Sequence, residues 1–230
     1  MQAAVEPTIV ATFHGIEVPA APHLGRGMIV SLNEGKYERR EVEAGLKAIP
    51  PGARILELGA GSGVVGAVLA RHLKPAAMLS IEANPNLLPH IRDLHAHNGL
   101  AEAITVRHAV VLSAPDAPDT VEFFIHGNFL GSGLVARNAG KAQAVRVPVL
   151  RYADLKAEFP HDIIMMDIEG GELDFLRHAD LTGVDTFIAE MHRDIYGREG
   201  MRECRSLIEA QGFALDPLSR AGVHVYRRAV

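Results

Sequence analysis

One cysteine, Cys204, occurs among 230 residues, which excludes a disulfide framework. It lies in the amphipathic run Arg198 to Gln211 without a CxxC or a histidine partner nearby, and reads as a small packing residue. Positive charge is not in excess. The 23 Lys and Arg residues against 28 Asp and Glu give a formal net charge of −5, which argues against a dedicated nucleic-acid binder, although net charge leaves local basic patches open. Long apolar runs are missing as well: the charge-free stretch Leu58 to Ala70 is too short and too rich in glycine to span a bilayer. No basic segment precedes an apolar one at the N-terminus, so the sequence reads as soluble and cytoplasmic. Neither HExxH nor Cys/His ligand spacing is there to suggest zinc. Repeats and low-complexity tracts are absent; Ala114-Pro-Asp-Ala-Pro-Asp119 reads as an exposed loop.

What is present is an apolar content of 48% in alternating strand and helix patterns. That predicts one α/β domain over residues 1–230, with one sizeable core. Its most informative stretch is Arg54-Ile-Leu-Glu-Leu-Gly-Ala-Gly-Ser-Gly63, a buried strand running into a glycine-rich turn, followed by the helical run Val64 to Leu73. Gly59, Gly61 and Gly63, with Ala60 between them, let the backbone turn sharply and approach a ligand closely, as adenosine-containing cofactors require.

Gly61-Ser-Gly63-Val-Val-Gly66 is also a literal GxGxxG, the dinucleotide fingerprint. In that motif the first glycine follows the strand directly, yet here Gly59 already holds that place and the frame starts two residues late. Glu57 repels a pyrophosphate but suits the ammonium of a methionine moiety, directly or through water. S-adenosyl-L-methionine is therefore favoured over NAD, with an NAD-dependent oxidoreductase and a non-catalytic cofactor-binding module as the rival readings.

Further along, Ala77 to Glu82 reads as a second strand and Pro85 to His97 as a helix with its proline in the first turn and Asn98-Gly99 as its stop. Ile104 to Val111 is a third strand, with Ala109 among its last alternating residues, and Asp162 to Ile168 a fourth, followed by a helix near Glu172 to His178. Thr186 to Met191 is a fifth, followed by a long helix ending at Gly212. Phe213 to Asp216 and His224 to Arg228 close the sheet. Two regions break the alternation. Residues 1–50 carry strand-like Thr8 to Phe13 and Ile16 to Val18 around His14-Gly15. Residues 113–150 carry Val121 to His126 and Ala144 to Leu150, β in character, around the loop Gly127-Asn-Phe-Leu-Gly-Ser-Gly133. An inserted β flap there can lie over the carboxyl edge of the sheet, where parallel sheets bind ligands, and offer Asn128 and Ser132 to an acceptor. The alternative is a surface hairpin. Arg137, Lys141, Arg146 and Arg151 make the segment locally basic.

Glu82 ends the second strand about twenty residues past the turn, where an acid accepts hydrogen bonds from both ribose hydroxyls, with Ala83 beside it. In Met165-Met-Asp-Ile-Glu-Gly-Gly-Glu172, alternation points Asp167 and Glu169 to one side as long as the strand persists. Such a pair can bind an ammonium, orient a hydroxyl or hold a cation. Glu172, like Glu169, also reads as a helix-start acid stabilised by the dipole. Glu190-Met-His192 ends the fifth strand, and position makes His192 the general-base candidate among twelve histidines, with Glu190 orienting it. His90, His95 and His97, by contrast, read as ordinary helix-face residues. A divalent cation on the acids is the secondary reading.

The order Lys36-Tyr-Glu38, Leu56-Glu-Leu-Gly-Ala-Gly-Ser-Gly63, Ile81-Glu-Ala-Asn-Pro85, Asn98-Gly-Leu100, Val147-Pro-Val149, Asp167-Ile-Glu-Gly-Gly-Glu172 and Glu190-Met-His192 resembles FkbM-type methyltransferases from about residue 34 to 192. The resemblance implies an α/β, Rossmann-like class I methyltransferase sheet with helices on both faces, an N-terminal extension, and the flap between strands 3 and 4. It implies S-adenosyl-L-methionine as cofactor and O-methylation of a sugar or other natural product, with no metal assigned. Tyr37, Glu169, Glu172, Asn128 and Ser132 then fall on the acceptor side. Glu57, Gly59, Ala60, Gly61, Gly63, Glu82, Ala83, Ala109 and Asp167 fall on the cofactor side. The partners expected are a small-molecule acceptor and, where residues 1–30 self-associate, a second copy of the chain, with neither nucleic acid nor membrane. One departure stands out: the family usually has a lysine two residues before the aspartate, and here that position is Met165.

Overall fold

The computed structural model describes residues 6–126, 132–134, 142–220 and 222–229. The chain opens with an antiparallel hairpin, β1 (Ile9–Phe13) and β2 (Ile16–Pro19). Its turn has positive φ at both central residues, 48° at His14 and 77° at Gly15, the geometry that matches strand twist in two-residue hairpins. Helices α1 (Arg26–Asn33) and α2 (Arg39–Ala48) follow. Next come β3 (Arg54–Leu58), α3 (Val64–Leu73), β4 (Ala77–Glu82), α4 (Leu88–His97) and β5 (Ile104–His108).

The inserted segment holds β6 (Val110–Leu112), β7 (Thr120–Ile125) and β8 (Gln143–Arg151), after which come α5 (Tyr152–Glu158) and β9 (Ile163–Met166). The C-terminal part is α6 (Glu172–His178), β10 (Thr186–Glu190), α7 (Arg193–Ala210), β11 (Phe213–Leu215) and β12 (Val223–Arg228).

The main sheet has seven strands in the order β11-β12-β10-β9-β3-β4-β5. Strands β10, β9, β3, β4 and β5 run parallel, and β12 is antiparallel to β10. Alternation along each strand divides the core. Ile55, Met165 and Ile188 pack with Val42, Val68 and Leu69 of α2 and α3 on one face. Leu56, Ile164 and Phe187 pack with Leu155, Phe175 and Ile208 of α5, α6 and α7 on the other, where Cys204 is buried as well. The chain leaves β3 toward β4 and β5 and later returns to β9, so the strand order reverses between β3 and β9. Ligands of open α/β sheets bind at the carboxyl side of such a switch point.

Three boundaries differ from the sequence expectation. The third strand breaks at Ala109: β5 stays in the main sheet, while β6 pairs in parallel with β8 in a separate sheet that β8 and β7 complete as an antiparallel pair. Helix α4 begins at Leu88, and its first-turn proline is Pro89; Pro85 lies before it, in a turn where Asn84 Oδ1 accepts from the Asn86 amide at 3.1 Å. This side-chain turn competes with the helix for the same backbone. The fourth strand stops at Met166, because Glu169 (φ 52°) and Gly170 (φ 94°) turn the chain sharply. The alternation argument that paired Asp167 with Glu169 therefore does not apply. Helix α7 is also kinked, at Gly197.

Candidate active site

A cleft open to solvent lies at the carboxyl ends of β3, β4 and β9. Its floor is the glycine turn. Gly59 has φ 88°, and a Cβ there would collide with the carbonyl oxygen of Asp167, so only glycine allows the ends of β3 and β9 to approach this closely. Gly66 has a different task. Its missing Cβ would lie 2.6 Å from Glu57 Oε2, so the last glycine of the literal GxGxxG makes room for a buried carboxylate beneath α3.

That carboxylate also accepts a hydrogen bond from Ser80 Oγ, and burial pushes its pKa up to about 7. Glu57 borders the cleft, but Ser80 and α3 hold its carboxylate. It props the turn, whereas the sequence suggested that it meets an ammonium directly or through water. Glu82 is arranged otherwise: Oε2 accepts from the Gly61 amide and Oε1 from the Asn84 amide, both at 2.7 Å. Burial raises its pKa to about 7 as well. Each oxygen keeps a lone pair for a further donor. Ala60, Ala83 and Ala109 line the cleft beside it; Gly63, φ 77°, starts α3.

The other end of the cleft is acidic. Asp167 and Glu169 line it together with Glu38 and Glu41. Burial, then the charges of Glu190 and Glu169, hold the Asp167 pKa well above its ordinary value. Burial with Glu41 and Glu190 lifts Glu38 to about 8, and burial with Glu41 raises Glu190. Among the charges acting most strongly on Asp167, His192 alone is a cation. Met165, in register with Glu57 on β3 and Ile188 on β10, lines the same cleft as these acids.

His192 stands behind Asp167 and Glu169, away from the cleft lining. Its Nδ1 lies 2.9 Å from Glu172 Oε1; Nε2 is 3.5 Å from Glu169 Oε2 and 3.7 Å from Asp167 Oδ1. Burial alone would lower the imidazole pKa, but the hydrogen bond and charge of Glu172, with Asp167 and Glu169, outweigh it and raise it to about 9. His192 lies outside the cleft lining with both ring nitrogens toward carboxylates, so the geometry does not favour it as the general base expected from the sequence. It corrects two further assignments. Glu172, not Glu190, orients His192. Glu172 is fully buried, accepts from the amides of Ile168 and Gly170 at 3.3 and 3.1 Å, and faces no acceptor.

Tyr37 lines the cleft with its hydroxyl 3.0 Å from Ser62 Oγ; burial, then Glu38, raise its pKa, which keeps it a neutral phenol. Ser132 also lines the cleft, and its Oγ accepts from the His126 amide at 3.1 Å. Its neighbour Gly133 leaves room for a Cβ 3.5 Å from the Glu169 carbonyl oxygen, so this part of the flap rests on the turn after β9. Asn128, Arg137 and Lys141 lie outside the described residues. Sequence reasoning missed Glu38 and Glu41 as cleft acids. Glu38 enters through a left-handed backbone, φ 40°, that no pattern reveals; Glu41, on α2, carried only its helical spacing from Glu38.

The strand order, the glycine turn and the acid at the end of β4 define a Rossmann-like methyltransferase. The chain belongs to the methyltransferase FkbM domain family, whose domain matches residues 57–215, and it is an S-adenosyl-L-methionine-dependent methyltransferase. Among solved structures, it is similar to precorrin-6y C5,15-methyltransferase from Geobacter metallireducens, at 13% identity over 84% of this chain and 89% of that one, with a TM-score of 0.49. A putative tRNA methyltransferase from Streptococcus pneumoniae, in complex with S-adenosyl-L-methionine, matches at 15% identity over 83% and 72%, TM-score 0.48. A ribosomal protein L11 methylase from Lactobacillus delbrueckii subsp. bulgaricus matches at 13% over 85% and 80%, TM-score 0.49. No curated protein matches the sequence significantly. Among the described residues, no helix is long and apolar enough to cross a membrane.

Proposed function

We propose that this methyltransferase acts on a hydroxyl group of a small molecule, of the sugar or natural-product class. The observation that carries this reading is the division of the cleft: a neutral, glycine-rich end anchored by Glu82, and an acidic end where Asp167 and Glu169 face a space bordered by Tyr37 and Ser132. Glu82 receives the ribose hydroxyls of the cofactor on its remaining lone pairs. The acceptor lies across the cleft, against the acids and the flap.

In the transfer, a lone pair of the acceptor oxygen forms the new O–C bond while the C–S electron pair returns to sulfur, which becomes a neutral thioether. The hydroxyl proton passes to the Asp167–Glu169 carboxylate pair. A carboxylate pressed against the sulfonium would stabilise the reactant more than the charge-dispersed transition state, so the pair serves the acceptor side. Positioning and exclusion of water supply most of the remaining acceleration. Methyl transfer from labelled cofactor to a panel of sugars, phenols and hydroxy acids tests the reading. Transfer to an oxygen of at least one acceptor is expected, with loss of turnover in Asp167→Asn; products methylated only on nitrogen, or on macromolecules alone, would overturn it.

A further inference from the structure

The acidic end of the cleft contains an arrangement that methyl transfer as derived above does not use. One ligand atom each from Asp167, Glu190 and His192 lie within 4.8 Å of one another. An octahedral cation with bonds of about 2.1 Å separates adjacent ligands by about 3 Å and opposite ones by about 4.2 Å, so small rotations of these side chains would enclose an ion. The arrangement also leaves Asp167 unsatisfied: Oδ1 is sealed from solvent and has no hydrogen-bond partner, while it faces His192 Nε2 at 3.7 Å. A buried carboxylate oxygen without a partner is costly.

His192 has the orientation of a ligand. Its Nδ1 is tied to Glu172, which the turn after β9 fixes through two backbone amides. A carboxylate on one ring nitrogen is the usual outer partner of a metal-bound imidazole, since it sets the tautomer and directs the other nitrogen. Two carboxylates and one imidazole make a mostly hard donor set, suited to magnesium or manganese more than to thiolate-seeking metals.

We propose that Asp167, Glu190 and Nε2 of His192 bind one divalent cation of the magnesium or manganese class, which holds the acceptor hydroxyl through its open coordination positions. Of the three ligands only Asp167 lines the cleft, so the ion meets the acceptor on the Asp167 side. It lowers the pKa of a coordinated hydroxyl and fixes its direction. With Asp167 engaged, the hydroxyl proton leaves to Glu169. The ion also neutralises carboxylates that would otherwise stabilise the sulfonium reactant. This role rests on the hydroxyl reading of the acceptor, but binding of the ion does not.

The test is calorimetric titration of Mn²⁺ into the full-length protein after dialysis against EDTA. One site per chain is expected. Glu190→Gln and His192→Ala should each weaken it at least tenfold, and Glu172→Gln, which acts only through His192, by about 10- to 100-fold. Thermal melts and S-adenosylhomocysteine binding check that each variant is folded, and the latter reports on the cofactor site independently of any metal. No Mn²⁺ binding to the wild-type protein, or equal binding in folded Glu190→Gln, overturns the proposal. The same result with intact S-adenosylhomocysteine binding would leave the methyltransferase reading standing.

Discussion

Glu172 Oε1 and His192 Nδ1 lie 2.9 Å apart, and this pairing of a fully buried carboxylate with a half-buried imidazole ties the start of α6 to the end of β10. Against the lowering effect of burial, this hydrogen bond and the charges of Glu172, Asp167 and Glu169 raise the imidazole pKa from 6.5 to about 9. A group whose pKa is higher in the folded than in the unfolded chain contributes stability that is complete below the unfolded value and lost as pH rises through the folded one. Stability should therefore fall between about pH 6.5 and pH 9, by on the order of 3 kcal/mol at most. Urea unfolding across that range measures it. His192→Gln should flatten this part of the profile; an unaltered slope in the variant would assign the loss to other groups.

Gly66 and Glu57 should be energetically coupled. A methyl group at 66 would press on the Glu57 carboxylate at 2.6 Å, so Gly66→Ala is expected to destabilise the protein by about 1–3 kcal/mol through overpacking. Glu57→Ala alone removes the partner of Ser80. The double variant should be less destabilised than the sum of the two, with a coupling energy of 0.5 kcal/mol or more by the usual scale for contacting residues. Simple additivity would mean that α3 shifts without engaging the carboxylate.

This pair also shows what the sequence made legible. Three glycines, two strand-end acids and the order of elements were enough to place the glycine turn, Glu82 and the carboxyl edge of the sheet, because strand period and turn chemistry are local properties. Which acid faces the ligand was not local. Glu57 turns under α3 because a missing Cβ nine residues further on, at Gly66, makes room for it, Glu172 turns inward because the backbone after β9 offers it two amides, and Glu38 reaches the cleft through a left-handed φ. The surroundings of His192 were hidden for the same reason: the type of residue was legible, but the three carboxylates around it come from a turn and a helix start whose meeting is tertiary.

Glu82 should govern cofactor affinity in a pH-dependent way. Its pKa is raised to about 7 by burial, and both its oxygens already accept backbone amides; protonation takes away a lone pair that a ribose hydroxyl would use. Affinity for S-adenosylhomocysteine should increase as pH rises through about 7, and Glu82→Ala should cost on the order of 1.5–3 kcal/mol at pH 8. Calorimetry at several pH values provides both numbers. Wild-type affinity in the folded variant would move the adenosine site elsewhere.

Met165→Lys places a cation beside the acid cluster, and its effects should separate the electrostatic from the packing role of this position. Met165 is buried and borders the same cleft as Asp167, so a lysine ammonium there would meet Asp167, whose pKa is held up by burial and by Glu190 and Glu169. An adjacent positive charge favours the ionised carboxylate. Part of that gain is offset by the desolvation of the lysine, so the net stability change should be small, within about 1–2 kcal/mol of wild type. The change in ligand binding should be larger. With its unpartnered oxygen occupied by an ammonium, Asp167 should no longer serve a cation, and affinity for Mn²⁺ should drop at least tenfold while S-adenosylhomocysteine binding holds. His192, deprived of part of the negative charge that raises its pKa, should titrate at lower pH, which ¹⁵N NMR of the imidazole follows directly. Unchanged Mn²⁺ affinity together with an unchanged His192 titration would show that the lysine points out of the acid cluster, and that the methionine is there only to fill the core beside Glu57 and Ile188.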